Sequence, residues 1–334
     1  MIKQEDIEFH TPAGADYLWA ETNYFSISIP EERLLASVYV VHRKGLGVMS
    51  ADVAIHGALV DTRAECLYVD NHQHLPAPER LSDVRTPTGL RIQAFSPRDY
   101  RIDYAGFDDT GIHVDFKGLM EPFDIHDPAH SPKATTDAVK RIEGSGFGTG
   151  YGGHFDLTGR ITGTLKVRGK EYPVDCIETM DHSWGPRPET HMPGIGWQHA
   201  HFGEDLALHW IVLCDYEKPV GRQQTLAHGY VLDQGEVYGL TDLKLRTVRT
   251  GVVTCAHEFE ATDVRGKTWR MYGSAEVGAP WVCYVSTMVY IALMRWTLPD
   301  GRVGHGVSQE NQSVQSLNRQ RGKHWTEPSS KITS

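Results

Sequence analysis

The chain has 334 residues, 40% of them hydrophobic, enough for a core larger than that of one average domain. A formal net charge of −10 removes the basic footprint of a nucleic-acid binder and argues against attraction to an anionic membrane surface. Five scattered cysteines (Cys66, Cys176, Cys214, Cys255, Cys283) form no C-x-x-C pair and read as reduced thiols, not a disulfide framework or zinc knuckle. The polar start "MIKQEDIEFH" does not resemble a secretory signal, so a cytoplasmic protein without stable membrane insertion is expected.

Period-two alternation runs through the chain. "WAETNYF" (Trp19 to Phe25) opens a first run of strands, and "FDDTGIHVDF" (Phe107 to Phe116) carries an Asp/Gly hairpin turn. His126 to Gly153 is a Gly/Pro/Ser-rich crossover, with Lys133 to Ile142 the best short helix in the chain. From Ile161 to Cys176 two half-buried strands meet at a Gly169 turn. A second break, "GPRPETHMPG" (Gly185 to Gly194), precedes "WQHAHF" (Trp197 to Phe202), a faint echo of the first run. "VRGK" (Val264 to Lys267) and "LPDGRVGHG" (Leu298 to Gly306) are further hairpin tips, and the apolar Trp281 to Met294 reads as one buried strand. Many short strands at regular spacing predict an all-β protein. Two related domains, 1–190 and 191–334, fit the breaks and the echo.

"GTGYGG" (Gly148 to Gly153) matches G-x-G-x-x-G but precedes a strand, so it is not a dinucleotide loop. A Walker lysine, a G-x-S-x-G elbow and an H-E-x-x-H pair are all missing from the sequence. In "HAHFGEDLALHW", His199 and His201 share one face of a strand. A hairpin symmetric about Glu204 sets His209 opposite His199, a set that a tetrahedral metal site can use. A slip of one residue dissolves that set, and the plainer reading is of histidines that line a pocket.

"MDHSWGPRP" (Met180 to Pro188) concentrates the chemistry. Asp181 is either a carboxylic acid raised in pKa by an apolar pocket, with His182 as a second acid or base, or a structural acceptor paired with Arg187. Trp184 is correspondingly either a π-face able to steady a developing carbocation or the plug of a barrel end.

The stretch Gly153 to Pro188, "GHFDLTGRITGTLKVRGKEYPVDCIETMDHSWGPRP", resembles the signature of the AttH-like, hydroxyneurosporene-synthase-like superfamily of double lipocalin-like proteins. "WAETNYFSI", "GWQHAHF" and "GRVGHGVSQEN" follow in matching order, so the likeness spans most of the chain, with "DHSWGPR" its specific block. The resemblance implies two lipocalin-like antiparallel β-barrel domains in tandem with an apolar cavity near their junction. It also implies carotenoid-hydratase-like, cyclase-like or Diels–Alderase-like chemistry without an organic cofactor, with Asp181 at the position of the proton-donating acid. The expectation is thus a cofactor-independent hydratase, dehydratase, cyclase or isomerase of a hydrophobic small molecule such as a terpenoid, steroid-like or aromatic compound. Asp181, His182 and Glu310 are its expected catalytic residues, and Tyr24, Trp184, Trp197, His199 and His201 line its substrate site. The alternatives are a carrier of a lipophilic ligand and a metal-dependent lyase or hydrolase on His199, His201 and His209. A homodimer is compatible with either.

Overall fold

The computed structural model describes residues 1–188, 194–284 and 286–319. The first sheet comprises β1 (Trp19–Ile29), β2 (Leu34–Arg43), β3 (Val48–His56), β4 (Tyr68–Pro76), β5 (Asp83–Arg85), β6 (Leu90–Ser96), β7 (Asp99–Ala105), β8 (Gly111–Gly118), β9 (Phe123–Asp124), β10 (Gly153–Val167) and β11 (Lys170–Pro186). Its antiparallel order is β4-β3-β2-β1-β11-β10-β8-β7-β6-β5, with β9 against β10, so the sheet curls without closing. The long β10–β11 hairpin turns at Arg168 and Gly169, whose φ values of 47° and 84° give the left-handed pair that a tight hairpin requires.

The second sheet comprises β12 (Gly194–His201), β13 (Leu206–Cys214), β14 (Gln224–Asp233), β15 (Glu236–Thr250), β16 (Val253–Asp263), β17 (Thr268–Tyr284), β18 (Thr287–Thr297) and β19 (Val303–Ser313), which close into a barrel. Eight strands leave an interior that side chains alone can fill. Here Trp210 packs on Phe259 and Trp296 at ring separations of 4.5 and 5.5 Å, among Leu208, Leu245 and Met294. The barrel's other face carries Trp197, Ile211, Tyr230, Val277 and Ile291, which join one core with Tyr24, Phe25 and Leu157 of the first sheet. An apolar outer face must be covered, and the first sheet covers it. The seam between the sheets is therefore the place for a site.

Register decides what faces the seam. Asp181 pairs with Tyr24 across β1–β11 and with Asp156 across β10–β11. Directly opposed residues project to the same side, so the three form a row across adjacent strands. The corner that ends β11 is fixed by Gly185, at φ 149°, where an added Cβ would lie 2.3 Å from Thr149 O. Only glycine lets the turn Gly148–Tyr151 approach so closely, and Thr149 Oγ1 then donates to Pro186 O at 2.8 Å. The G-x-G-x-x-G stretch is this turn, leading into strand β10.

Helix α1 (Ala138–Gly144) lies within the crossover but starts later than Lys133, because the Asp137 carboxylate accepts from Val139 N and Lys140 N at 3.0 and 3.1 Å. The run Trp281 to Met294 is not one strand: it holds the end of β17 and most of β18, which pair from Tyr284↔Thr287 onward. The expected boundary at residues 190/191 lies outside the described residues, between the end of β11 and the start of β12. Among the described residues no helix is long and apolar enough to cross a membrane.

Candidate active site

A small cavity of about 50 Å³ lies between the sheets. Tyr24, Tyr39 and Asp181 line it from the first sheet, Trp197, Trp281 and Tyr284 from the barrel, and Phe147 and Tyr151 from the crossover. Tyr24 meets Trp197 edge-on at 5.4 Å, and Tyr39 meets Trp281 at 4.9 Å. The aromatic walls are interspersed with polar side chains, Thr22, Asp181, Ser183, Arg187, Gln309 and Asn311.

Asp181 projects into this space. Among the described residues it accepts no backbone N–H and has no ion pair with Arg187. Its contacts are one long hydrogen bond from Ser183 Oγ at 3.4 Å and His154 Nδ1 at 3.7 Å from Oδ2. Burial raises its pKa from 3.8 to about 7. The nearby His154 and Arg187 favour the anion without cancelling that effect, and the negative Asp156 opposes them.

Asp156, opposite on β10, is the reverse case. It is fully buried and accepts from Trp197 Nε1 at 2.8 Å and from His154 Nε2 at 2.9 Å. His209 Nε2 lies 3.0 Å away, too oblique for a good hydrogen bond. Burial works against the Asp156 anion, yet the two imidazoles hold its carboxyl well below the ordinary range. His154 stacks on Tyr151 at 4.1 Å, and its Nδ1, on the side of Asp181, has no hydrogen-bond partner. One carboxyl kept protonated and one kept ionised, with an imidazole between them, is an arrangement suited to acid–base chemistry.

The structure separates the residues expected together. Tyr24, Asp181 and Trp197 do share the cavity. His182 and Trp184 do not, because strand alternation turns them to the opposite face. There His182 packs on Phe155 at 5.4 Å with Nε2 3.9 Å from Glu21, and Trp184 stacks on His10 at 3.6 Å. Glu310 likewise turns away from its neighbour Gln309, which lines the cavity. Glu310 is bound by Arg249 at 2.5 and 2.6 Å and by Thr254 Oγ1 at 3.0 Å; burial opposes its anion, but Arg249 holds its pKa below the ordinary value.

His199 and His201 lie outside the cavity wall, stacked at 4.6 Å beside Glu178. His199 does pair with His209 in register, but the His209 ring goes to Asp156, so the three imidazoles do not converge. Here the ligand atoms close enough to share an ion are those of Glu178, His199 and His201, and a second such set, His10, Glu21 and His182, lies on the opposite face of the first sheet. The former set fits a metal poorly. His199 Nδ1 accepts the Val307 N–H at 3.3 Å, so the neutral ring carries its proton on Nε2, the nitrogen 3.7 Å from Glu178, where a ligand lone pair would be needed.

Sequence reasoning passed over His154, Asp156 and Tyr39. The signal for the first two was present in "GHFDLTG", where a His and an Asp two apart on a strand share a face.

A curled sheet packed on a closed eight-stranded barrel, with a cavity at the seam, defines a double lipocalin-like protein. The chain belongs to the family described as a domain of unknown function, DUF7064, whose model matches residues 3–314. Among solved structures it is similar to an AttH candidate from Nitrosomonas europaea (TM-score 0.58, 12% identity, 92% of this chain and 94% of that one). It is also similar to kievitone hydratase from Nectria haematococca (TM-score 0.51, 12% identity, 87% and 88%) and to CghA (TM-score 0.50, 10% identity, 89% and 88%). No curated protein matches it in sequence. At such identities the likeness shows the fold alone.

Proposed function

We propose that the protein is an acid–base enzyme that hydrates, dehydrates, cyclises or isomerises a hydrophobic small molecule in the seam cavity, with Asp181 as the proton donor. The observation that carries this reading is a buried carboxyl group projecting among aromatic walls with its pKa raised to about 7, so that it holds a transferable proton near neutrality. Kievitone hydratase, a protein of the same fold, is named for a hydration.

In this mechanism the bound molecule takes a proton from Asp181 Oδ2. The proton then lost by the substrate cation, or by water added to it, is taken up at His154 Nδ1, 3.7 Å from Asp181 Oδ2, and passes from there to the carboxylate. Asp156 steadies the imidazolium through its bond to Nε2. In the reverse direction the same groups remove a proton. The aromatic walls exclude water from the reacting centre and orient the substrate.

The test is deuterium exchange. Purified protein is incubated in heavy water with a panel of polyenes, phenolic prenyl compounds and unsaturated ketones, and products are examined by mass spectrometry for carbon-bound deuterium or added water. General acid catalysis contributes about 10²–10⁴-fold, so Asp181→Asn should lose at least about a hundredfold in rate while still binding the compound. Full activity in that variant would eliminate the acid role. Tight binding by wild type with no exchange into any compound would instead leave a carrier.

A further inference from the structure

Arg187 brings a charge into the cavity wall that no carboxylate among the described residues answers. It is 2% exposed, and among the described residues no carboxylate lies within 4.0 Å of its guanidinium. Its partners are neutral: Nη1 donates to Tyr284 Oη, and Nη2 donates to Ser183 Oγ at 2.6 Å and to Thr22 Oγ1 at 3.4 Å. The Phe147 and Tyr284 rings flank it at 5.4 and 5.7 Å, and Nε has no partner. Arg249, elsewhere in the same fold, shows the ordinary solution, with Glu310 accepting from two of its nitrogens. A buried cation left without an anion is costly, and a site that retains one is prepared for an anion from outside.

The rest of the wall points the same way. Its buried polar atoms without a partner are Tyr24 Oη, Arg187 Nε and Trp281 Nε1. The indole and guanidinium nitrogens can only donate, and a phenol donates readily. A cavity with a cation and surplus donors, between flat aromatic walls, is complementary to an anionic oxygen group on a flat apolar molecule.

We infer that the substrate is an aromatic or similarly flat compound bearing a carboxylate, held by Arg187 with Tyr24 and Trp281 as supplementary donors. This rests on the seam cavity being the substrate site, and it adds a coupling between binding and catalysis. The Arg187 charge is among the influences that favour the Asp181 anion. A bound carboxylate cancels that charge, so arrival of the substrate keeps the proton on Asp181 until it is used.

The experiment is isothermal titration of the full-length protein with naphthalene-2-carboxylate and with naphthalene-2-carboxamide, its neutral counterpart. In wild type the carboxylate should bind at least about tenfold more tightly than the amide, since a charged hydrogen bond is the stronger kind. Arg187→Met should erase that preference without weakening the amide, and Arg187→Lys should restore part of it. Trp281→Phe, which keeps a ring and deletes the N–H, should weaken the carboxylate selectively, and it decides the matter if Arg187→Met does not fold. Equal affinity for the two compounds in wild type, or an unchanged preference in Arg187→Met or in Trp281→Phe, overturns the inference. Asp181→Asn separates this from the acid reading: loss of turnover with the carboxylate preference intact supports both, whereas intact turnover in that variant removes the acid and leaves the anion site standing.

Discussion

Replacing Asp181 by asparagine preserves the shape of the side chain and removes its charge, and the geometry sets the size of the effect on folding. The carboxyl titrates near 3.8 in the unfolded chain and near 7 in the folded one, chiefly because of burial. Below about pH 4 both states are protonated and the group contributes nothing to the pH dependence. As pH rises past that point the unfolded state releases a proton that the folded state retains, and wild type loses about 1.36 kcal/mol of stability per pH unit. The two values are about 3 apart, so the loss is complete above about pH 7 and amounts to about 4 kcal/mol. Asparagine has no proton to lose. Asp181→Asn should match wild type near pH 4 and exceed it by up to about 4 kcal/mol above pH 7. Urea unfolding of both proteins from pH 4 to 8.5 gives the difference curve, in which Glu178, also raised to about 7 by burial, is common to both. A flat difference curve, or a less stable variant at pH 8, would refute the reasoning and indicate that Asp181 is structural. The expected result, more stability with less turnover, is that of a residue kept for chemistry at a cost to the fold.

Three further perturbations follow from the same geometry. Gly185→Ala must fit a Cβ 2.3 Å from Thr149 O at a φ of 149°, so it should lose more than about 2 kcal/mol and speed hydrogen exchange across residues 147–152; unaltered exchange there would detach the corner from the cavity wall. Glu310→Gln should lose about 3–5 kcal/mol by stranding Arg249, with ligand affinity at the seam unchanged; a fully stable but inactive variant would restore the catalytic expectation for Glu310. Asp156→Asn removes a negative charge that raises the Asp181 pKa, so the limb of the pH–rate profile that requires protonated Asp181 should shift to lower pH, and a shift upward would contradict the assignment.

Period-two alternation, the turns at Gly169 and Asp108–Asp109, and the break before Trp197 were enough to predict strands, hairpins and an all-β chain, because the two-residue repeat of a strand is local. The resemblance carried by "DHSWGPR" supplied the tandem lipocalin-like fold and drew attention to Asp181. Local pattern does not extend to which face of a strand meets which neighbour. Asp181 and His182 are adjacent in sequence, so alternation sends them to opposite sides of β11; the same rule turns Gln309 to the cavity and Glu310 to Arg249. The apolar run from Trp281 could not reveal its own hairpin, since the sequence between Tyr284 and Thr287 carries no glycine, proline, asparagine or aspartate to mark a turn.

What the sequence by itself determined was the secondary structure and the chemical identity of a rigid, acid-bearing corner. Only the tertiary structure decided that Asp156, 25 residues upstream of Asp181, faces the same seam, that His154 stands between the two carboxyls, and that Arg187 is buried with neutral partners among the described residues. The physical reason is that charge state and reactivity depend on burial and on neighbours within a few ångströms. In an antiparallel sheet covered by a barrel, those neighbours come from strands far apart in the chain.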